Sequence, residues 1–138
     1  MPLLLFATVC TKDRGIWLAT EEVRAVLHDI WQQDATTWLV GPYVIMPDHL
    51  HFLCVPRQLS DGVEMERWVA YWKDRFSKRF QNPLWRWQRG VFHHRMRHDG
   101  HLHETLAYMQ QNPVKKGLVA TAEVWPWRGK VHDIFNER

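Results

Sequence analysis

Four stretches of the chain carry the dense apolar and β-branched residues that are typical of β-strands. They span residues 3–11, 36–46, 50–55 and 91–97. Only a short segment with the turn-forming pair Pro47-Asp48 separates the second stretch from the third. We therefore expect these two strands to pair as an antiparallel hairpin.

Helical spacing of apolar residues predicts a helix after the first strand and another after the third. The first helix follows Thr20, a residue type that caps helices, and its apolar face carries Val23, Val26, Leu27 and Ile30. The second follows Asp61 and Glu64, which resemble a capping box. Its apolar face carries Trp68, Val69, Trp72, Phe76 and Phe80.

A third helix is predicted after the last strand, from Asp99, with Leu102, Leu106 and Met109 facing inward. Pro113 limits it, because the residue before a proline avoids the helical conformation. The remaining tail is expected to be a packed extension that ends in a loop. This order of elements is a split βαβ pattern, so residues 1–138 are predicted to form a single α+β domain. We expect a four-stranded antiparallel sheet with its helices on one face.

Positive charge is concentrated in the middle third of the chain. The formal net charge is +3, and residues 57–97 carry ten Lys or Arg against four Asp or Glu, whereas residues 1–56 carry three against six. The same middle stretch contains Trp68, Tyr71, Trp72, Trp85 and Trp87. Basic groups with aromatic rings fit a single-stranded nucleic acid, but a solvated helix face over an aromatic core would have the same composition.

The first apolar stretch is too short to span a membrane, and it lacks the flanking residues of a signal peptide. We therefore expect a cytoplasmic protein with no membrane partner. Cys10 and Cys54 lie in apolar runs without CxxC spacing. Buried free thiols are favoured over a disulfide or a cysteine zinc site.

Two histidines, His49 and His51, stand at the start of the third strand. Residues two apart on a strand share one face and lie about 7 Å apart along the chain, so their imidazoles can converge on one cation. The neighbouring Asp48 could orient an imidazole or only form the turn. A His-x-His pair also occurs without a metal, and the motif alone leaves both interpretations open.

A tyrosine on the last predicted helix lies away from the apolar stripe. Tyr108 and Asn112 are four residues apart and share a helix face. A half-buried surface tyrosine would give the same pattern. A tyrosine hydroxyl is a poor nucleophile at neutral pH, but a cation held by His49 and His51 could polarise a phosphate for its attack. An Asn112 amide oxygen as third ligand suits Mg²⁺ or Mn²⁺ rather than a closed zinc site.

Four segments together resemble the single-tyrosine HUH transposases, and most closely the REP-associated tyrosine transposases. They are VIMPDHLHFLCVP at 44–56, WQRGVFHHRMR at 87–97, YMQQNPVKKGLV at 108–119 and VWPWRG at 124–129. Their order and spacing match over nearly the whole chain. The resemblance implies a ferredoxin-like fold and activity on single-stranded DNA near REP-like hairpins, as a monomer or a homodimer.

The resemblance also implies roles for individual residues. His49 and His51 would be the metal ligands, Tyr108 the nucleophile that becomes joined to a 5′ phosphate, and Asn112 the helix residue that completes the metal site. Two details depart from the family. The common NPVRAGLV is NPVKKGLV in this chain, and Arg128-Gly129 stands where a serine pair is frequent.

Cations that could contact DNA lie in four places. They are Arg75, Lys78 and Arg79 on the second helix, Arg86 and Arg89 in the loop after it, Arg95 and Arg97 on the fourth strand, and Lys115 with Lys116 after the tyrosine. Solvated charges would look the same. His93 and His94 are expected on opposite faces of the fourth strand. One of them could lie near the active site or contact DNA, but structural or surface roles are favoured. Trp125 and Trp127 are interpreted as anchors of the tail.

Two other functions compete with a transposase-like nuclease. Relaxases place their tyrosines near the N terminus, ahead of the histidine pair, whereas no tyrosine precedes Tyr43 in this chain. Replication initiators usually carry a lysine three or four residues after the tyrosine, where this chain has Gln111 and Asn112. Both differences disfavour those enzymes. A non-catalytic nucleic-acid-binding module derived from the same fold is the main alternative, and the intact His49, His51 and Tyr108 argue against it.

Overall fold

An antiparallel sheet of five strands forms the centre of the protein in the computed structural model, which describes residues 3–58, 64–96 and 99–135. The spatial order of its strands is β4-β1-β3-β2-β5. The strands are β1 (Leu5–Cys10), β2 (Trp38–Ile45), β3 (His49–Pro56), β4 (Phe92–Arg95) and β5 (Arg128–Lys130). The predicted hairpin of the second and third strands is confirmed as β2 and β3.

The fifth strand corrects the prediction of a four-stranded sheet. β5 has three residues and no apolar alternation, so nothing in its own sequence marks it as a strand. It forms because it can pair with the free edge of β2, with Gly129 opposite Tyr43. A Cβ on Gly129 would lie 2.7 Å from the Tyr43 hydroxyl oxygen, so only glycine allows this approach.

The helices cover both faces of the sheet, which corrects the prediction that they share one. α1 (Glu21–Asp29) and α2 (Met65–Phe80) pack on the face formed by Ala7, Leu50 and Phe52. α3 (Asp99–Lys115) packs on the opposite face, where Met109 joins Phe6 and Leu53. The cause lies in β3, which is buried on both sides: Leu50 and Phe52 join the core under α1 and α2, and Leu53 joins the core under α3.

The ends of the helices follow the sequence in part. The Thr20 side chain accepts a hydrogen bond from the Val23 amide, as predicted for the cap of α1. Asp61 of the predicted capping box lies outside the described residues, and Glu64 precedes α2 without a side-chain cap. α3 continues through Pro113 to Lys115, so the expected limit at Pro113 is wrong.

Pro113 lies in the last turn of α3 and has no N–H to donate to the carbonyl of Met109, so this turn has one backbone hydrogen bond fewer. Gly117 then ends the helix with a left-handed backbone, at a φ of +75°. Its amide donates a hydrogen bond to the Val114 carbonyl, and the Leu118 amide donates one to the Pro113 carbonyl.

Most aromatic residues of the middle third belong to the core. Trp68 and Trp72 are buried against Phe52 and Trp31, with rings that meet edge to face. For these two tryptophans a structural role therefore replaces the base-stacking alternative. Trp125 is buried as well and donates to the Ile45 carbonyl, which anchors the tail as predicted. No helix in the described ranges has the length and hydrophobicity that crossing a membrane requires.

Candidate active site

His49 and His51 lie on the sheet face that α3 covers. Their pairing partners on β1 are Cys10 and Thr8. Both side chains are buried, and their ring centroids are 4.8 Å apart. The shared strand face that the sequence predicts is therefore present, with the two imidazoles in edge contact.

Two hydrogen bonds fix the His51 ring. Its Nδ1 lies 2.9 Å from the Thr8 hydroxyl, and its Nε2 lies 3.3 Å from the Asn112 amide nitrogen, which donates. The Nε2 atom is therefore an acceptor, and Nδ1 carries the proton that Thr8 accepts. Burial, assisted by the charge of His49, lowers the pKa of His51 to about 3. The imidazole is neutral at physiological pH, as a metal ligand must be.

His49 is oriented by a carboxylate. Its Nδ1 donates to Asp48 Oδ1 at 2.7 Å, and the other Asp48 oxygen accepts from Arg14 Nε at 2.8 Å. Burial lowers the pKa of His49, and Asp48 partly offsets that effect. Burial would raise the pKa of Asp48, but the hydrogen bonds from Arg14 and His49 leave it below its usual value. A carboxylate on one ring nitrogen of a histidine is the common arrangement behind a metal ligand.

Asn112 brings a third donor to the same place. Its side chain is buried, and its Oδ1 atom has no hydrogen-bond partner within the described structure. A buried amide oxygen without a partner is costly, and a bound cation would satisfy it after the amide rotates. Two neutral imidazoles and this oxygen fit a divalent cation. No cluster of three or more His, Cys, Asp or Glu side chains suited to a metal occurs among the described residues.

Tyr108 stands at the rim of this group, with 47% of its surface exposed. Its ring meets the His51 ring edge to face at 5.6 Å and the Phe6 ring at 6.5 Å. The Lys115 ammonium lies 5.8 Å from the centre of the same ring. The structure thus brings together the residues that the sequence singled out at 49, 51, 108 and 112. The tyrosine is accessible and the two histidines are buried beside it.

The predicted DNA-contacting cations divide between the two faces of the sheet. Lys115 and Lys116 are exposed at the end of α3, and the charge of Lys116 acts on His49. Arg95 pairs with Leu5, whose side chain faces α2. The three predicted cations of α2 also lie across the sheet from Tyr108, and each of the three forms an ion pair. These pairs are Arg75 with Asp34, Lys78 with Asp74 and Arg79 with Asp29.

Two further cations of that set lie in the loop after α2. Arg86 and Arg89 line a groove of about 790 Å³ between α2 and this loop. The loop is tied to the end of β1 beside His49, because the Lys12 amide donates to the Arg86 carbonyl and the Gln88 amide to the Cys10 carbonyl. Arg97 lies outside the described residues.

Several residues of the site were not predicted. Thr8 and Arg14 each reach a residue more than thirty positions away, so no local pattern could reveal them. His94 lies on the site face, with its ring 5.4 Å from Phe6, whereas His93 pairs with Glu66 of α2 on the other face. The alternation of a strand predicted that they would diverge, but not which one would reach the site.

Comparison with known proteins finds similar proteins of the kind that the motifs suggested. No family model matches the chain. A protein of Haemophilus influenzae described as a candidate REP-associated tyrosine transposase is 28% identical over 106 residues, which is 67% of this chain and 59% of that protein. The chain is thus similar in sequence to a protein of the REP-associated tyrosine transposase kind. The resemblance drawn from its motifs is confirmed, although the match spans only about three fifths of the relative's length.

Solved structures agree on the fold. A REP-associated tyrosine transposase bound to a REP hairpin superimposes with a TM-score of 0.78 at 21% identity, covering 92% of this chain and 76% of that one. A candidate transposase from Deinococcus radiodurans gives a TM-score of 0.55 at 20% identity, covering 81% of this chain and 91% of the other. The chain therefore has the mixed α and β architecture of this group of proteins.

Proposed function

We propose that the chain is a metal-dependent, transposase-like endonuclease and strand transferase that acts on single-stranded DNA beside a hairpin. The main support is the accessible Tyr108 in ring contact with His51, next to a buried group of metal-ligand type. The hairpin is proposed because the structurally similar transposase is described as bound to a REP hairpin.

In the proposed reaction the Tyr108 oxygen attacks a backbone phosphorus and loses its proton to solvent. The bond from phosphorus to the 3′ oxygen breaks, that oxygen takes up a proton, and the 5′ phosphate stays on the tyrosine. His49, His51 and Asn112 would hold Mg²⁺ or Mn²⁺, which would neutralise charge on the phosphate. A later attack by another 3′ hydroxyl rejoins the strand and frees Tyr108. Because one chain contains all four residues, either a monomer or a homodimer could work.

A covalent adduct tests this proposal. We would incubate the protein and Mn²⁺ with hairpin oligonucleotides that carry randomised single-stranded flanks and a 3′ label, and then run a denaturing gel. We expect a labelled protein band that EDTA abolishes and that Tyr108→Phe reduces by at least roughly a hundredfold, since that variant lacks the nucleophile.

Tyr71→Phe is the matched control, because Tyr71 is equally exposed, at 46%, but belongs to α2 on the other face. It should leave the band unchanged. Equal bands from wild type and Tyr108→Phe would refute the assignment of the nucleophile. Tight hairpin binding without any band would favour the non-catalytic binding module.

A further inference from the structure

A small hollow lies directly beside Tyr108. It has a volume of about 370 Å³ and is lined by Phe6, His94, His101, Glu104, Thr105 and Tyr108. This volume is within the range of pockets that hold small flat ligands. The proposed metal ligands His49, His51 and Asn112 do not line it, whereas Tyr108 does. The hollow is therefore a separate feature next to the proposed nucleophile.

Four of the lining side chains are aromatic rings. The His94 and His101 rings are within 27° of parallel, with centroids 6.2 Å apart, and His94 also contacts Phe6. Tyr108 also contacts Phe6. Ring faces of this kind bind unpaired bases by stacking, whatever the base.

The polar groups of the hollow favour a base over a phosphate or a metal. Glu104 is exposed at its edge, and a carboxylate repels phosphate but accepts hydrogen bonds from the amino group of a base. The histidines and Glu104 also form no three-ligand metal arrangement among the described residues. The expected occupant is therefore flat, uncharged and able to donate.

We infer that this hollow binds one unpaired nucleobase of the DNA strand next to the phosphate that Tyr108 attacks. It should prefer bases with an exocyclic amino group, such as cytosine or adenine, over thymine. The inference rests on the proposed function for its position beside the cut, and it adds a specificity site to that function.

A single base on an otherwise base-free strand tests the inference without cleavage. The probes are hexamers of tetrahydrofuran abasic residues with cytosine, adenine, thymine or no base at the third position, labelled with fluorescein and titrated by anisotropy without divalent metal. We expect cytosine or adenine to tighten binding roughly tenfold over the base-free strand, and thymine to do so less.

His94→Ala should reduce the effect of the base to less than about twofold, because it removes one stacking ring. His93→Ala is the matched control, since the neighbouring histidine faces α2, and it should keep the full effect. Glu104→Gln should retain the stacking but lose the preference for cytosine over thymine. Both histidines are on the exposed strand β4, so equal unfolding midpoints should show that the variants are folded.

Equal binding with and without a base, or equal losses in His93→Ala and His94→Ala, would overturn the inference. Because no cut is needed, this failure is distinct from failure of the nuclease. Base-dependent binding without any covalent adduct would count against the nuclease alone, and an adduct with base-independent binding would count against the hollow alone.

Discussion

A strained turn orients one of the three proposed metal ligands. Asp13 and Arg14 both have left-handed backbones, with φ of 54° and 57°, which residues other than glycine rarely adopt. This turn carries the Arg14 guanidinium to Asp48, which in turn holds His49. Strain of this kind persists where the surrounding structure requires it, often at functional sites. Asp48 is thus assigned the orienting role that the sequence left open.

Loss of Asp48 should weaken the metal more than the fold. We expect Asp48→Ala to reduce Mn²⁺ affinity by about ten- to a hundredfold, because the His49 ring loses the partner that fixes its orientation. Isothermal titration calorimetry measures this directly. Asp29→Asn, a change of an exposed carboxylate that pairs with Arg79 on the other face, serves as the control and should bind as wild type. An unchanged Mn²⁺ affinity in Asp48→Ala would refute the orienting role of Asp48.

Burial of His51 should make the metal-free protein sensitive to acid. Its pKa of about 3 lies below the value of about 6.5 for an unfolded chain, so the unfolded state binds the additional proton between these values. The contribution of neutral His51 is therefore complete above pH 6.5 and is lost progressively as the pH falls. We expect the urea unfolding free energy of His51→Phe to fall less steeply from pH 6.5 to 4.5 than that of wild type. Parallel pH profiles would contradict this.

At the residue scale, the sequence predicts the groups that form motifs and misses those that act through distant contacts. His49 with His51, and Tyr108 with Asn112, are local pairs set by strand and helix periods. Their contacts with distant residues such as Thr8, Arg14 and His94 depend on strand register. That register is decided by core packing across the sheet rather than by neighbours in the chain.

At the element scale, the same contrast separates α1 from β5. The cap at Thr20 and the apolar spacing of α1 are local, and both were predictable. β5 forms only because β2 offers an unpaired edge and Gly129 lets the chain approach Tyr43. The position of α3 on the second face likewise depends on the cluster around Phe6 and Leu53 that it covers.

Gly129 should therefore be the most sensitive position of β5. In Gly129→Ala the new methyl group would meet the Tyr43 hydroxyl and ring at under 3.0 Å, so the strand or the ring must move. We expect a loss of about 1–3 kcal/mol in the free energy of unfolding in urea, as for overpacking elsewhere. Gly90→Ala is a useful comparison, because a Cβ there meets nothing within 4 Å and costs only backbone strain. An unchanged free energy of unfolding in Gly129→Ala would mean that β5 does not pack closely against Tyr43.

At the scale of the whole molecule, the sheet separates a structural face from a site face. The first carries the tryptophan-rich core under α1 and α2, and three cations of α2, Arg75, Lys78 and Arg79, are paired there with acidic residues. The second carries the histidines, the tyrosine and the exposed lysines at the end of α3. The distribution of positive charge along the sequence indicated the middle third as the DNA-binding stretch. The fold, however, places much of that charge away from Tyr108.

This arrangement predicts which cations bind DNA beside the cut. Replacing Lys115 and Lys116 together by Gln should weaken binding of a hairpin oligonucleotide and lower the slope of log affinity against log salt by about 1–2, since up to two phosphate contacts are lost. Replacing Arg75 and Arg79 by Gln should leave the slope nearly unchanged. A larger loss from the arginine pair would show that the DNA crosses the α2 face instead.

The most direct measurement is the identity of the residue that becomes joined to DNA. Protein incubated with Mn²⁺ and a cleavable hairpin oligonucleotide is digested with nuclease and trypsin, and the peptides are analysed by mass spectrometry. The tryptic peptide of residues 98–115 contains Tyr108 as its single tyrosine. We expect a nucleotide 5′ phosphate on that peptide, fragmenting at Tyr108. The same modification on a peptide containing Tyr43 or Tyr71 would contradict Tyr108 as the nucleophile.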